Sequence, residues 1–234
     1  GVKKDVTKLY NILNVDKIRV NLDKYDENIL ADPNRGHWDL FDNSKKQELE
    51  SEIGKKVYAR DPRLDIKKGG IVGIDFGTKS TVVVFQDGKN ITLPMRISGG
   101  TLNKKVENND YENPTVIEFI DIEKFMRDYN SKEGRPLTKW EDITVSHTAF
   151  QNLINGTSSQ FSSTISDLKQ WAGSKKDKLL LKDKQGVEKL LNSYLDLNDG
   201  DIDPIEIYAY YIGSYINNMR NGIYLEYFLS FPVT

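Results

Sequence analysis

The chain has 234 residues, 38% of them hydrophobic and 29% charged, and a formal net charge of −2. That is enough apolar material for one large or two small packed domains and excludes wholesale disorder, while the near-balance of charge gives no electrostatic footing for nucleic acid or an anionic membrane. Cysteine is absent and histidine is confined to His37 and His147, which excludes disulfides, thiolate catalysis and cysteine-based metal centres and leaves oxygen ligands for any cation.

The N-terminus is polar, and apolar runs such as residues 81–85 fall far short of the roughly 20 residues of a membrane helix, so a cytoplasmic protein is expected. Residues 1–69 read as an N-terminal extension or small subdomain, punctuated by turns at Asp32-Pro-Asn-Arg-Gly36 and Asp61-Pro62. Ile18, Val20 and Leu22 alternate with polar residues as in a half-buried strand. Ser44 can cap a helix whose apolar stripe is Leu49, Ile53 and Val57. His37-Trp38 beside Asp39 is either a turn packed by its own aromatic ring or a partner-binding or catalytic cluster.

The composition changes at Lys67-Lys-Gly-Gly70, the expected domain boundary, and Ile71-Val-Gly-Ile74 is a short apolar run of the kind that forms a buried strand. Residues 80–86 are rich in β-branched side chains, Asp87-Gly88 predicts a two-residue turn, and Ile91, Leu93 and Met95 alternate along a returning strand over 89–96. These three segments predict an antiparallel meander. A fourth strand is expected over 115–120, then a polar stretch, helical or irregular, to about Ile154.

Two helices follow. Val187, Leu190, Leu191, Tyr194 and Leu195 mark the first; Ile205, Tyr208, Ala209, Ile212, Tyr215, Ile216 and Met219 mark a longer one. Asp203 as N-cap, Pro204 at the first position, Glu206 at the capping-box position and Gly222 past the end punctuate the second helix. The tyrosines on it, Tyr208, Tyr210, Tyr211 and Tyr215, read as core or as a stacking platform. Residues 224–231 read as a buried strand, which needs neighbours on both sides, so further sequence is expected beyond Thr234.

Chemistry concentrates in Asp75-Phe-Gly-Thr78. An apolar strand delivers a carboxylate, a glycine lets the backbone approach a ligand, and the next residue offers an amide and a hydroxyl. Gly77, Thr78, Lys79 and Ser80 supply donors for phosphate oxygens, and Asp75 is placed to hold magnesium through retained waters. The same tetrapeptide also fits an ordinary hairpin whose aspartate caps a turn.

Gly73-Ile-Asp-Phe-Gly-Thr-Lys-Ser-Thr81 resembles the first phosphate motif of the actin, sugar-kinase and heat-shock chaperone superfamily, most closely that of the DnaK-type (seventy-kilodalton heat-shock) chaperones. Glu112-Asn-Pro-Thr-Val-Ile-Glu-Phe119 is similar to that family's threonine-proline-serine strand, and Ile165-Ser-Asp-Leu-Lys-Gln-Trp-Ala-Gly173 to its lysine-bearing segment. Asp203-Pro-Ile-Glu-Ile207 through Phe231-Pro-Val233 is similar to the helix and strand that end in valine-proline-alanine.

The resemblance covers about residues 70–234 and implies an α/β fold: the ribonuclease-H-like first lobe of an actin-like ATPase, with a mixed five-stranded sheet and an inserted subdomain over about 115–185. It implies ATP or ADP with magnesium as cofactors, Asp75 on the magnesium side, Gly77 and Thr78 on phosphate, and Lys169 reaching the terminal phosphate. Gln170 stands where the family has arginine, Trp171-Ala172 replaces an aliphatic pair, and Lys79 and Ser80 replace small or amide residues.

The family's second phosphate motif, adenosine motif and water-orienting acids would lie beyond Thr234. The chain is therefore expected to be a truncated domain that lacks its second lobe, holds no nucleotide tightly and does not turn over ATP alone. A protein client or partner of the parent chaperone is a further expectation. An actin-like filament or scaffold ATPase and a degenerate, non-hydrolysing interaction module are the competing readings.

Overall fold

The structure, a computed structural model, describes residues 48–50, 56–58, 61–88, 90–97, 105–131, 138–174, 176–220 and 222–230. The first strands, β1 (Glu48–Glu50) and β2 (Lys56–Tyr58), pair antiparallel with Leu49 opposite Val57. This overturns the helix expected from the Leu49, Ile53 and Val57 stripe. Three apolar residues make a short signal, and a glycine within that stretch of sequence, Gly54, lowers its helix propensity. The expected strand at Ile18 and the His37-Trp38 cluster lie outside the described residues.

Strand β3 (Gly70–Phe76) runs antiparallel to β4 (Ser80–Asp87), from Gly70 opposite Asp87 to Phe76 opposite Thr81. Strand β5 (Thr92–Met95) returns along the later half of β4, completing the predicted meander. The connection is longer than a two-residue turn. Gly88 (φ 63°) and Asn90 (φ 55°) are both left-handed, and Gln86 Nε2 donates to Asn90 Oδ1 at 3.1 Å across it. Strand β6 (Glu112–Pro114) pairs with the start of β4, with Ser80 opposite Pro114.

The strand expected over 115–120 is split. Val116 N bonds back to the Pro114 carbonyl at 2.9 Å, so the β6 ladder ends there and β7 (Ile117–Phe119) enters a second sheet. Helix α1 (Ile122–Tyr129) is capped by Asp121, which accepts from Lys124 N at 2.9 Å. Then come β8 (Ile143–Val145), α2 (Ser146–Asn155), β9 (Thr164–Ile165) and α3 (Leu168–Gly173). The β7 strand is the centre of a three-stranded antiparallel sheet with β8 and β9.

Where the 187–195 pattern predicted a helix, β10 (Leu179–Lys182) and β11 (Glu188–Leu191) form a hairpin. Turn chemistry overrides the spacing. Buried Asp183 accepts from Gln185 N at 2.9 Å and Val187 N at 2.8 Å, and Gly186 takes φ 90°. The same carboxylate accepts from Ile122 N at 2.9 Å, and Lys184 pairs with buried Glu118 at 2.5 Å, so the hairpin is pinned to α1 and β7.

Helix α4 (Pro204–Arg220) starts as predicted, with Asp203 accepting from Ile205 N at 2.9 Å and Glu206 N at 3.2 Å. Glu206 accepts from the Tyr129 hydroxyl at 2.9 Å and so ties α4 to α1. Tyr208, Tyr211 and Tyr215 are core, while Tyr210 is only partly buried. Tyr208 packs against Phe76 at 6.0 Å between ring centroids, while Tyr211 and Tyr215 meet Trp140 edge-on at 5.4 and 6.4 Å. One helical stripe thereby seals both sheets.

The last strand, β12 (Glu226–Ser230), runs parallel to β3 and completes a mixed five-stranded sheet ordered β12-β3-β4-β5, with β6 on β4. Its expected burial is not found. Among the described residues it pairs only with β3, and all its residues are exposed, Phe228 by 63%. An edge position leaves one side of its backbone ladder open. The chain is mixed α/β, and among the described residues no helix is long and apolar enough to cross a membrane.

Candidate functional site

The β3–β4 turn projects from the end of the five-stranded sheet. Gly77 is required there, because a Cβ at that position would lie 2.2 Å from the Ser80 carbonyl oxygen. Behind the turn stands Thr115, fully buried at the bend between β6 and β7. Its hydroxyl donates to the Gly77 carbonyl at 2.9 Å and lies 2.9 Å from the Thr81 hydroxyl, and its amide donates to the Lys79 carbonyl at 3.0 Å. Tyr208 Oη donates to the Pro114 carbonyl at 3.1 Å and approaches Thr81 Oγ1 at 3.3 Å, coupling α4 to the same point.

Thr115 was not a candidate from sequence, and Tyr208 was one only as core or a stacking platform. Thr115 lies within the quoted 112–119 segment and Tyr208 within the α4 stripe, but only their contacts reveal that they brace the turn.

Asp75 is the penultimate residue of β3, exposed and opposite Val82 and Ser230 in the ladders. Among the described residues no group of three or more acidic or histidine side chains could enclose a metal. A single open carboxylate fits a magnesium ion that keeps most of its waters and shares phosphate oxygens, and does not fit an all-protein cage.

Lys169 lies on α3, whose ends are anchored by Leu168, fully buried, and Trp171, 5% exposed. Trp171 Nε1 donates to the Asp177 carbonyl at 3.2 Å and its ring meets Tyr194 edge-on at 5.6 Å. With its neighbours held, Lys169 sends Nζ to the Phe76 carbonyl at 3.1 Å. The fold thus brings Lys169 to the middle of the Asp75-Phe-Gly-Thr78 segment.

Thr78, Lys79 and Ser80 also form one wall of a cavity of about 590 Å³ beside the turn, lined as well by β6, α2 and the approach to α3. Gln170, the family's arginine position, lines this cavity, whereas Lys169 bonds to Phe76. No protein-family model matches the chain, and no curated protein matches it in sequence.

Proposed function

We propose that residues 70–230 form the phosphate-gripping first lobe of a DnaK-like, actin-superfamily ATP-binding domain, in a chaperone or chaperone-derived protein. The observation that carries this reading is the bond from Lys169 Nζ to the Phe76 carbonyl, which puts the one lysine implied by the family beside the one loop implied by it. The ribonuclease-H-like assignment is supported by the order of strands: an antiparallel meander, then a long capped helix, then a strand parallel to the first.

In this reading the residues divide the work. Amides and hydroxyls of Gly77, Thr78, Lys79 and Ser80 donate to phosphate oxygens, and Asp75 holds magnesium-bound water. Lys169 exchanges the Phe76 carbonyl for the terminal phosphate, where its charge opposes that developing on the transferred group. The bound magnesium would neutralise phosphate charge. Adenosine contacts and the carboxylates that orient attacking water belong to a second lobe, so this chain alone binds nucleotide weakly and does not turn it over.

Titration of the isotope-labelled chain with magnesium-ATP, followed by NMR, tests the reading. Amides of residues 77–80 shift, with an affinity near the millimolar range and no ADP formed. A hairpin that stays silent sinks the phosphate role. A steady ATPase rate abolished by Asp75→Ala in this chain overturns the two-lobe division instead.

A further inference from the structure

The cavity beside the hairpin has a floor and a rim of different chemistry. Its floor is apolar: Pro114 and Val116 from the β6 bend, Phe150 and Leu153 from α2. Phe150 and Leu153 are three residues apart and so neighbours on one helix face, while Ala149, fully buried, turns to the core. Phe150 is 42% exposed, a large aromatic left open to solvent inside a concavity.

The rim carries two carboxylates, Glu112 and Asp167, and one base, Lys79. All three are exposed, and neither acid is in an ion pair or side-chain hydrogen bond with the described residues. Two acids against one base leave the rim with a net negative charge that complements a cationic ligand. Asn109, Ser166 and Gln170 add amide and hydroxyl groups suited to a ligand with alternating donors and acceptors.

We propose that this cavity is a peptide-binding site, taking an apolar side chain on the Phe150–Leu153 floor and an adjacent lysine or arginine across Glu112 and Asp167. The volume of about 590 Å³ lies within the roughly 300–1,000 Å³ typical of ligand sites. The cavity shares Thr78, Lys79 and Ser80 with the proposed phosphate face, while Glu112, Asp167 and the Phe150–Leu153 floor lie outside that face. It does not depend on the ATP reading: the two share a wall but no charged residue except Lys79.

The test is an NMR titration of the labelled chain with the capped tripeptide acetyl-Leu-Arg-Leu-amide. Amides of Phe150, Leu153 and Asp167 shift saturably, while acetyl-Leu-Glu-Leu-amide binds at least about tenfold more weakly. The Glu112→Gln/Asp167→Asn variant, altered only at exposed positions, loses about tenfold in affinity with its β3–β4 amides unmoved, and Phe150→Ala loses a similar factor. No saturation, equal binding of the acidic tripeptide, or an affinity untouched by the double variant overturns the proposal. If argininamide alone binds as tightly as the tripeptide, the site is one for small organic cations and the peptide reading falls.

Discussion

Lys169 and Phe76 are 93 residues apart in sequence, yet the lysine Nζ donates to the Phe76 carbonyl at 3.1 Å. The bond holds a cation beside the turn whose conformation depends on Gly77 and Thr115. Under the proposed function, replacing Lys169 by alanine is expected to weaken magnesium-ATP binding by about ten- to a hundredfold, the worth of one charge-assisted hydrogen bond. The unfolding free energy should change by no more than about 1 kcal/mol, since α3 is anchored by Leu168 and Trp171. Magnesium-ATP titration followed by NMR, and urea unfolding, each wild type against variant, check the two halves of the prediction.

Gly77→Ala places a methyl group 2.2 Å from a backbone oxygen, and the backbone must move to relieve it. A loss of about 1–3 kcal/mol is expected in urea unfolding, with the amide resonances of residues 77–80 displaced before any ligand is added. An unchanged midpoint would show that the turn is looser than its geometry implies.

Ser146 opens α2 with φ 55°, is fully buried, and its hydroxyl has no hydrogen-bond partner among the described residues. Both features favour glycine there, because the left-handed region costs a Cβ-bearing residue about 1–2 kcal/mol. Ser146→Gly is expected to raise stability by roughly 1 kcal/mol, and Ser146→Val to lower it by more than that. Thermal denaturation of the two variants decides the sign.

Tyr208 gives the fold an alkaline limit. Burial is the main cause that pushes its hydroxyl up to about 12, from an ordinary value of 10.0. A folded value above the unfolded one means that the stabilisation is complete below pH 10 and is lost as pH rises through 12, at roughly 1.4 kcal/mol per pH unit. Tyr208→Phe should cost about 1 kcal/mol at neutral pH, by removing one of the two donors to the Pro114 carbonyl (Val116 N remains), and should flatten the decline between pH 10 and 12. Unfolding curves across that range, wild type against variant, provide the measurement.

Asp183 serves three backbone amides in two elements: Ile122 N of α1, and Gln185 N and Val187 N of the β10–β11 turn. Asp183→Ala leaves those donors without their acceptor in a site that is 3% exposed, and a loss of about 3 kcal/mol or more is expected. Hydrogen exchange should speed first in β10 and β11, with the β3–β4 ladder retaining its protection.

What the residues determined by themselves is what local physics can decide. The meander follows from β-branched strands meeting turn residues, and α4 from a 3.6-residue stripe with Asp203 and Pro204 at its start, so both were legible within one short window. The 75–80 segment announced donors and a carboxylate in the same way, but whether they serve a ligand was open. Tertiary structure decided the rest, because the partners are remote. Periodicity at 187–195 yielded to an Asp183 turn fastened to α1, and the 115–120 strand broke because Thr115 is claimed by Gly77 and Lys79. The buried strand expected over 224–231 became an exposed edge at 226–230, since its place in the sheet rather than its composition sets its burial. Above all, only folding brings Lys169 to Phe76 and sets Phe150 beside Glu112 and Asp167, relationships that no spacing along the chain encodes.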